Sequence, residues 1–209
     1  MQKYHKDKAH PWHGINIGIN APEEVTAFIE IVPTDTVKYE VDKASGYLSI
    51  DRPQKYSNIV PALYGFLPQT FCGKRVAELT NSALKRVDIE GDSDPLDICV
   101  LTEKDVTHGD IIVKAHPIGG FRLLDNVQAD DKIIAVLKDD MVYGQYTDIS
   151  QLHESIVNRL IHYFTTYKDL PGDNKQRMIL TGVYGKEIAY DVIRRSEEDY
   201  KVQIVPRLE

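Results

Sequence analysis

Cysteine is almost missing from this chain of 209 residues, which holds only Cys72 and Cys99. Two cysteines so far apart make no disulfide framework, and neither has a second thiol at the short spacing of a metal site, so a reducing, cytoplasmic home is expected. No run of about 18 apolar residues occurs, which excludes a membrane-spanning helix. The stretch from Met1 to Pro11 carries Lys and His without an apolar centre, so no secretory leader is expected either. Basic residues are spread rather than clustered and the formal net charge is −7, which argues against a nucleic-acid or anionic-membrane surface. The Gly-x-x-x-x-Gly-Lys phosphate loop, the Gly-x-Gly-x-x-Gly loop and the His-Glu-x-x-His zinc helix are all lacking, and the nucleotide and zinc folds that need them drop out. No repeat, low-complexity tract or composition shift divides the chain. Residues 1–209 are therefore expected to form a single domain, with 1–20 as an N-terminal extension and 70–90 as an excursion.

What the chain does have is a dense acidic run, Gly91-Asp92-Ser93-Asp94-Pro95-Leu96-Asp97, leading straight into the apolar Ile98-Cys99-Val100-Leu101. Two unit charges about 4 Å apart at an effective dielectric of about 20 repel by roughly 4 kcal/mol, so three such carboxylates held close call for a cation. Hard oxygen ligands at a turn-to-strand junction suit magnesium or manganese. A calcium loop of the EF-hand type fails as an alternative. Glu103 does stand twelfth from Asp92, but the fifth position is Leu96, the sixth is Asp97 rather than Gly, and a strand follows. A second acidic cluster, Asp125, Asp130 and Asp131, together with Glu30 and Glu40 on strands, supplies further ligands of the kind a multi-metal site needs. Lys38, Arg52, Tyr64, Lys132, Tyr167 and Lys168 offer point charges, one planar fork and neutral phenol donors, a set able to cradle phosphate beside metals.

Short strands are expected at 28–32, 37–42 and 47–50, again at 96–101, 111–118 and 132–137, with 123–131 as a loop. In the second of these, Val37, Tyr39 and Val41 share a core face while Lys38, Glu40 and Asp42 share the other. Two helices are expected late in the chain. The first is capped by Ser150, carries Leu152, Ile156, Leu160, Phe164 and Tyr167 at helical spacing, and stops at Asp169-Leu170-Pro171-Gly172. The second, about 186–201 after a strand at 178–184, buries Ile188, Val192, Ile193 and Tyr200. The expected fold class is thus α+β: a small five-stranded closed β-barrel, OB-like, with extra strands and two C-terminal helices. Cys72, Cys99, His116 and His162 read as structural, and His5, His10 and His13 as a solvated tail without a role.

The sequence resembles the soluble family I inorganic pyrophosphatases, whose Asp-x-Asp-Pro-x-Asp signature stands here as Asp92-Ser93-Asp94-Pro95-Leu96-Asp97. The likeness runs in order through 28–33, 37–42, 50–52, 63–66, 125–132 and 162–170. It departs at Val60, where relatives often place Tyr, and in the longer 70–90 segment. The resemblance implies that pyrophosphate is hydrolysed to two phosphates by a metal-activated water, with several magnesium ions per site, manganese being the alternative. It implies that Asp92, Asp97 and Asp130 hold the activating ions and that Asp125 and Glu30 serve further ones. Glu40 falls in the same carboxylate wall, and Asp94 becomes the general base. Lys38, Arg52, Tyr64, Lys132, Tyr167 and Lys168 become substrate-binding groups, in a homo-oligomer that needs neither nucleic acid nor membrane. Two rivals stay open on the residues alone: a metal-dependent nucleotide phosphohydrolase, and a non-enzymatic barrel that binds single-stranded nucleic acid.

Overall fold

The computed structural model describes residues 8–169 and 177–208. His5 and the expected stop at Leu170-Pro171-Gly172 lie outside these residues. The elements in chain order are β1 (Val25–Ile31), β2 (Val37–Val41), β3 (Leu48–Pro53), β4 (Leu63–Phe66), α1 (Lys74–Leu84), β5 (Glu90–Gly91), β6 (Asp97–Leu101), β7 (Ile111–Asp125), β8 (Gln128–Ala129), β9 (Lys132–Leu137), α2 (Glu154–Thr166), β10 (Met178–Gly185) and α3 (Lys186–Gln203).

One mixed sheet runs β1-β4-β6-β9-β7-β8-β5, and a further pairing of β1 with β7 closes five of its strands, β1, β4, β6, β9 and β7, into a ring. Closure depends on the length of β7: Ile111 to Ala115 pair with β1, Ala115 to Phe121 with β9, and Gly119 to Asp125 with β10. The β2–β3 hairpin forms a separate two-stranded sheet. Strands β6 and β9 run parallel, with Asp97 directly beside Lys132. Both are apolar on both faces, as strands covered on each side must be. Ile98, Val100, Ile133 and Ala135 join a core with Val192 and Ile193 of α3. Cys99, Leu101, Ile134 and Val136 join the core under α2, with Leu160 and Phe164.

Several expectations are corrected. The 70–90 excursion contains helix α1, giving three α-helices among the described residues rather than two. Its buried side is only Val76, Ala77 and Thr80, too weak a pattern to read by periodicity. The expected loop 123–131 is largely sheet, because β7 continues to Asp125 against β10, a partner more than fifty residues further on. Helix α2 is capped by His153, whose ring accepts from Ser155 N at 3.2 Å, while Ser150 sits in a separate 3-10 turn capped by Asp148. On α3 the expected Val192, Ile193 and Tyr200 are buried, but Ile188 is exposed and its neighbour Ala189 is buried in its place.

The N-terminal segment is no solvated tail from His10 onward. Trp12 is buried and donates its indole N–H to Thr70 O at 2.8 Å, and His13 Nδ1 lies 2.9 Å from the Tyr200 hydroxyl. Burial, helped by His10, lowers the His13 pKa to about 4. Cys72 and Cys99 are buried, as structural thiols are expected to be, and burial pushes both thiols up.

Candidate active site

The acidic run is shaped by the segment in front of α1. Cys72 N donates to Asp94 O at 2.8 Å, Ser93 N donates back to Cys72 O at 3.1 Å, and Leu96 N donates to the Thr70 hydroxyl at 2.9 Å. Between those bonds Ser93 takes a left-handed conformation (φ 66°), which puts a sharp turn between Asp92 and Asp94. The turn brings Asp94 N to Asp92 Oδ1 at 3.0 Å. Gly91 has to be glycine here, since an added Cβ would lie 2.1 Å from Cys72 O.

Asp97 opens β6 and Lys132 opens β9, so the parallel pairing sets carboxylate and ammonium side by side. The Lys132 ammonium is bonded to both Asp97 and Asp130, and the Tyr64 hydroxyl donates to Asp97 Oδ2 at 2.6 Å. Burial disfavours the Lys132 charge, yet Asp130 and Asp97 hold its pKa well above the usual lysine range. Burial, with Asp130 and Asp97 as near anions, pushes Asp92 well above the carboxylate range. Glu30, buried and accepting from Val41 N at 2.7 Å, is raised to about 8, mainly by desolvation. At the rim Lys168 reaches Asp125 at 2.6 Å, Lys38 bonds Glu40 at 2.8 Å and Asp51 at 3.2 Å, and Lys43 pairs with Asp94.

These side chains face one cavity of about 190 Å³, lined by Glu30, Lys38, Glu40, Tyr64, Asp92, Asp94, Asp97, Asp125, Asp130, Lys132, Tyr167 and Lys168. Every residue expected at the site stands in that wall except Arg52 and Asp131, the latter bonded to the Tyr184 hydroxyl instead. Arg52 pairs with Asp51 on β3, opposite Lys38, and does not line the cavity. Lys43, Gln128 and Trp12 line it unforeseen. Lys43 and Gln128 belong to turns and short pairings that carry no periodic signal, and Trp12 reaches in from the N-terminal segment.

Among the described residues, no three His, Cys, Asp or Glu side chains converge into a ready metal cluster. The geometry gives the reason: Lys132 lies between Asp97 and Asp130, Lys43 occupies Asp94, and Lys168 occupies Asp125. The donor set nonetheless suits a hard cation. Seven carboxylates face four ammonium groups in one wall, and buried carboxylates left in excess are stabilised by added positive charge.

The fold and sequence also resemble known proteins. The sequence pattern described as inorganic pyrophosphatase matches residues 27–201. The inorganic pyrophosphatase of Chlamydia trachomatis serovar D is 49% identical over 204 residues, covering 96% of this chain and 98% of that one. Soluble inorganic pyrophosphatase 3 of Arabidopsis thaliana is 34% identical, covering 96% of this chain and 82% of that one. Among solved structures, the inorganic pyrophosphatase from Thermus thermophilus superposes with a TM-score of 0.77 at 26% identity, covering 93% of this chain and 99% of that one. With the family pattern spanning most of the sequence and the relatives aligned nearly end to end, the chain belongs to the inorganic pyrophosphatase family.

Proposed function

We propose that this enzyme hydrolyses inorganic pyrophosphate in the cavity between the acidic turn and the mouths of β6 and β9, with the roles set out below. Hydrolysis of pyrophosphate to two phosphates is the reaction of its family; the assignment of residues is our reading. The observation that supports it most is Lys132, buried between Asp97 and Asp130 and facing Lys38, Tyr64 and Lys168 across one cavity.

Asp92, Asp97 and Asp130 would hold the activating magnesium ions, with Asp125 and Glu30 taking further ones and Glu40 completing the carboxylate wall; manganese is the alternative. Bound there, the ions would lower the pKa of water and neutralise phosphate charge. Asp94 orients the attacking water and accepts its proton, which requires Lys43 to leave its carboxylate. Both side chains are about half exposed, so that exchange needs no repacking. Lys132, Lys38 and Lys168 provide point charges to the phosphate oxygens, while Tyr64 and Tyr167 provide neutral donors. Charge building on the leaving phosphate is thereby met inside a partly desolvated wall. Arg52, outside the cavity, joins them by swinging from Asp51 once the anion is present.

We further read the five-stranded ring as a closed OB-like barrel, residues 1–209 as one domain, and the working form as a cytoplasmic homo-oligomer. Among the described residues, no helix is long and apolar enough to cross a membrane. The test is substrate preference with magnesium present: pyrophosphate should be cleaved far faster than a nucleoside triphosphate, and the reverse order would overturn the assignment.

A further inference from the structure

Asp131 is the one acid of the Asp130-Asp131-Lys132 run that takes no part in the reading above. It is also among the most buried polar groups described, 3% exposed. Asp130 and Lys132 bond one another and line the cavity, whereas Asp131, in the link between β8 and β9, does not. Its Oδ1 accepts from the Tyr184 hydroxyl at 2.8 Å.

Tyr184 reaches Asp131 from the far side of β7. It stands on β10 paired with Gly120 of β7, and Gly120 in turn is paired with Ile133 of β9. To touch Asp131 the phenol passes over Gly120 and crosses a whole strand. Only glycine permits this, because a Cβ at Gly120 would lie 2.5 Å from the Tyr184 ring. The Arg122 guanidinium lies over that ring, 5.5 Å from its centroid. Tyr184 itself is 5% exposed and shares the core with Ile98 and Ile133, the residues that follow Asp97 and Lys132 on their strands.

Resting on the proposed site, we infer that Tyr184 and Asp131 are positioning residues: their hydrogen bond ties β10 to the residue just ahead of β9 across β7 and sets the aim of Asp130 and Lys132 into the cavity. Neither touches substrate. The effect acts through the backbone, where a displacement of about 1 Å at reacting groups can cost about a hundredfold in rate.

The experiment compares wild type, Tyr184→Phe, Asp131→Asn and Asp131→Leu for pyrophosphate hydrolysis with magnesium at 25 °C, alongside thermal unfolding. Tyr184→Phe keeps the ring and its packing and deletes only the hydroxyl. It should lower kcat about tenfold, a partial misplacement, with the melting point still well above the assay temperature. Asp131→Asn, whose amide oxygen still accepts from Tyr184, should stay close to wild type, and Asp131→Leu should match Tyr184→Phe. Unchanged kcat and KM in Tyr184→Phe, with only a lowered melting point, would overturn the inference and leave the pair as packing. So would Asp131→Asn falling as far as Tyr184→Phe, since charge rather than the bond would then matter. Wild type that fails to hydrolyse pyrophosphate would instead defeat the proposed function itself.

Discussion

At the scale of single residues, the cavity's charge balance turns on Lys132, which is 2% exposed and bonded to Asp97 and Asp130. Replacing it by Met keeps much of the volume and leaves Asp92, Asp97 and Asp130 facing one another without a cation. Removing one partner of a buried ion pair costs about 3–5 kcal/mol, so Lys132→Met should unfold at markedly lower urea in chelator. Magnesium should return part of that stability while turnover stays at least tenfold down, in line with the loss of one charge-stabilising donor. Urea unfolding with and without magnesium checks the first effect and phosphate release the second. The carboxylates themselves were legible from the sequence because three of them fall within six residues of one turn. Lys43 on Asp94 and Tyr184 on Asp131 were not, since their partners stand 51 and 53 residues away and nothing local marks either. Arg52 was placed with the phosphate groups by residue type and by the family resemblance, and in the structure it pairs with Asp51 and stands outside the cavity wall.

At the scale of elements, helix α1 explains what the long 70–90 segment does. Its N-terminus is capped from α3: Asp199, fully buried, accepts from Gly73 N, Arg75 N and Val76 N and from the Arg75 guanidinium at 3.0 Å. Phe71 N donates to Ser196 O on the same helix. The residues between, Thr70 to Cys72, hold the acidic turn by three hydrogen bonds. A chain of contacts thus runs from α3 through the α1 entry to Asp92 and Asp94. Asp199→Ala should lower the unfolding free energy by about 2 kcal/mol, the upper range for a lost helix cap, as read by urea unfolding. An effect below about 0.5 kcal/mol would show that α1 is held by packing alone. This helix was hidden because Val76 is its one fully buried large aliphatic, Leu79 and Leu84 packing only in part, and its cap lies about 125 residues away. Strands β6 and β9, by contrast, were legible as continuous apolar runs, and α2 as a spaced apolar stripe, because their stabilising pattern is local.

At the scale of the whole molecule, function depends on closing the sheet. The ring of β1, β4, β6, β9 and β7 brings Glu30, Tyr64, Asp97 and Lys132 to one wall, although 102 positions separate the first from the last. Meandering strands suggested such closure; the β1–β7 pairing and the parallel β6–β9 pairing that deliver it are long-range and leave no mark on either segment. The cavity they frame is over-supplied with carboxylates, and its account stands or falls on a cation and on Asp94. Phosphate release from pyrophosphate, followed with magnesium, with excess chelator, and with magnesium for Asp94→Asn, addresses both at once. Wild type should release phosphate fast with magnesium and not at all in chelator, and Asp94→Asn should lose about a hundredfold or more, the usual span for removing a general base. Release that persists in chelator, or that is unchanged in Asp94→Asn, would contradict the assignment.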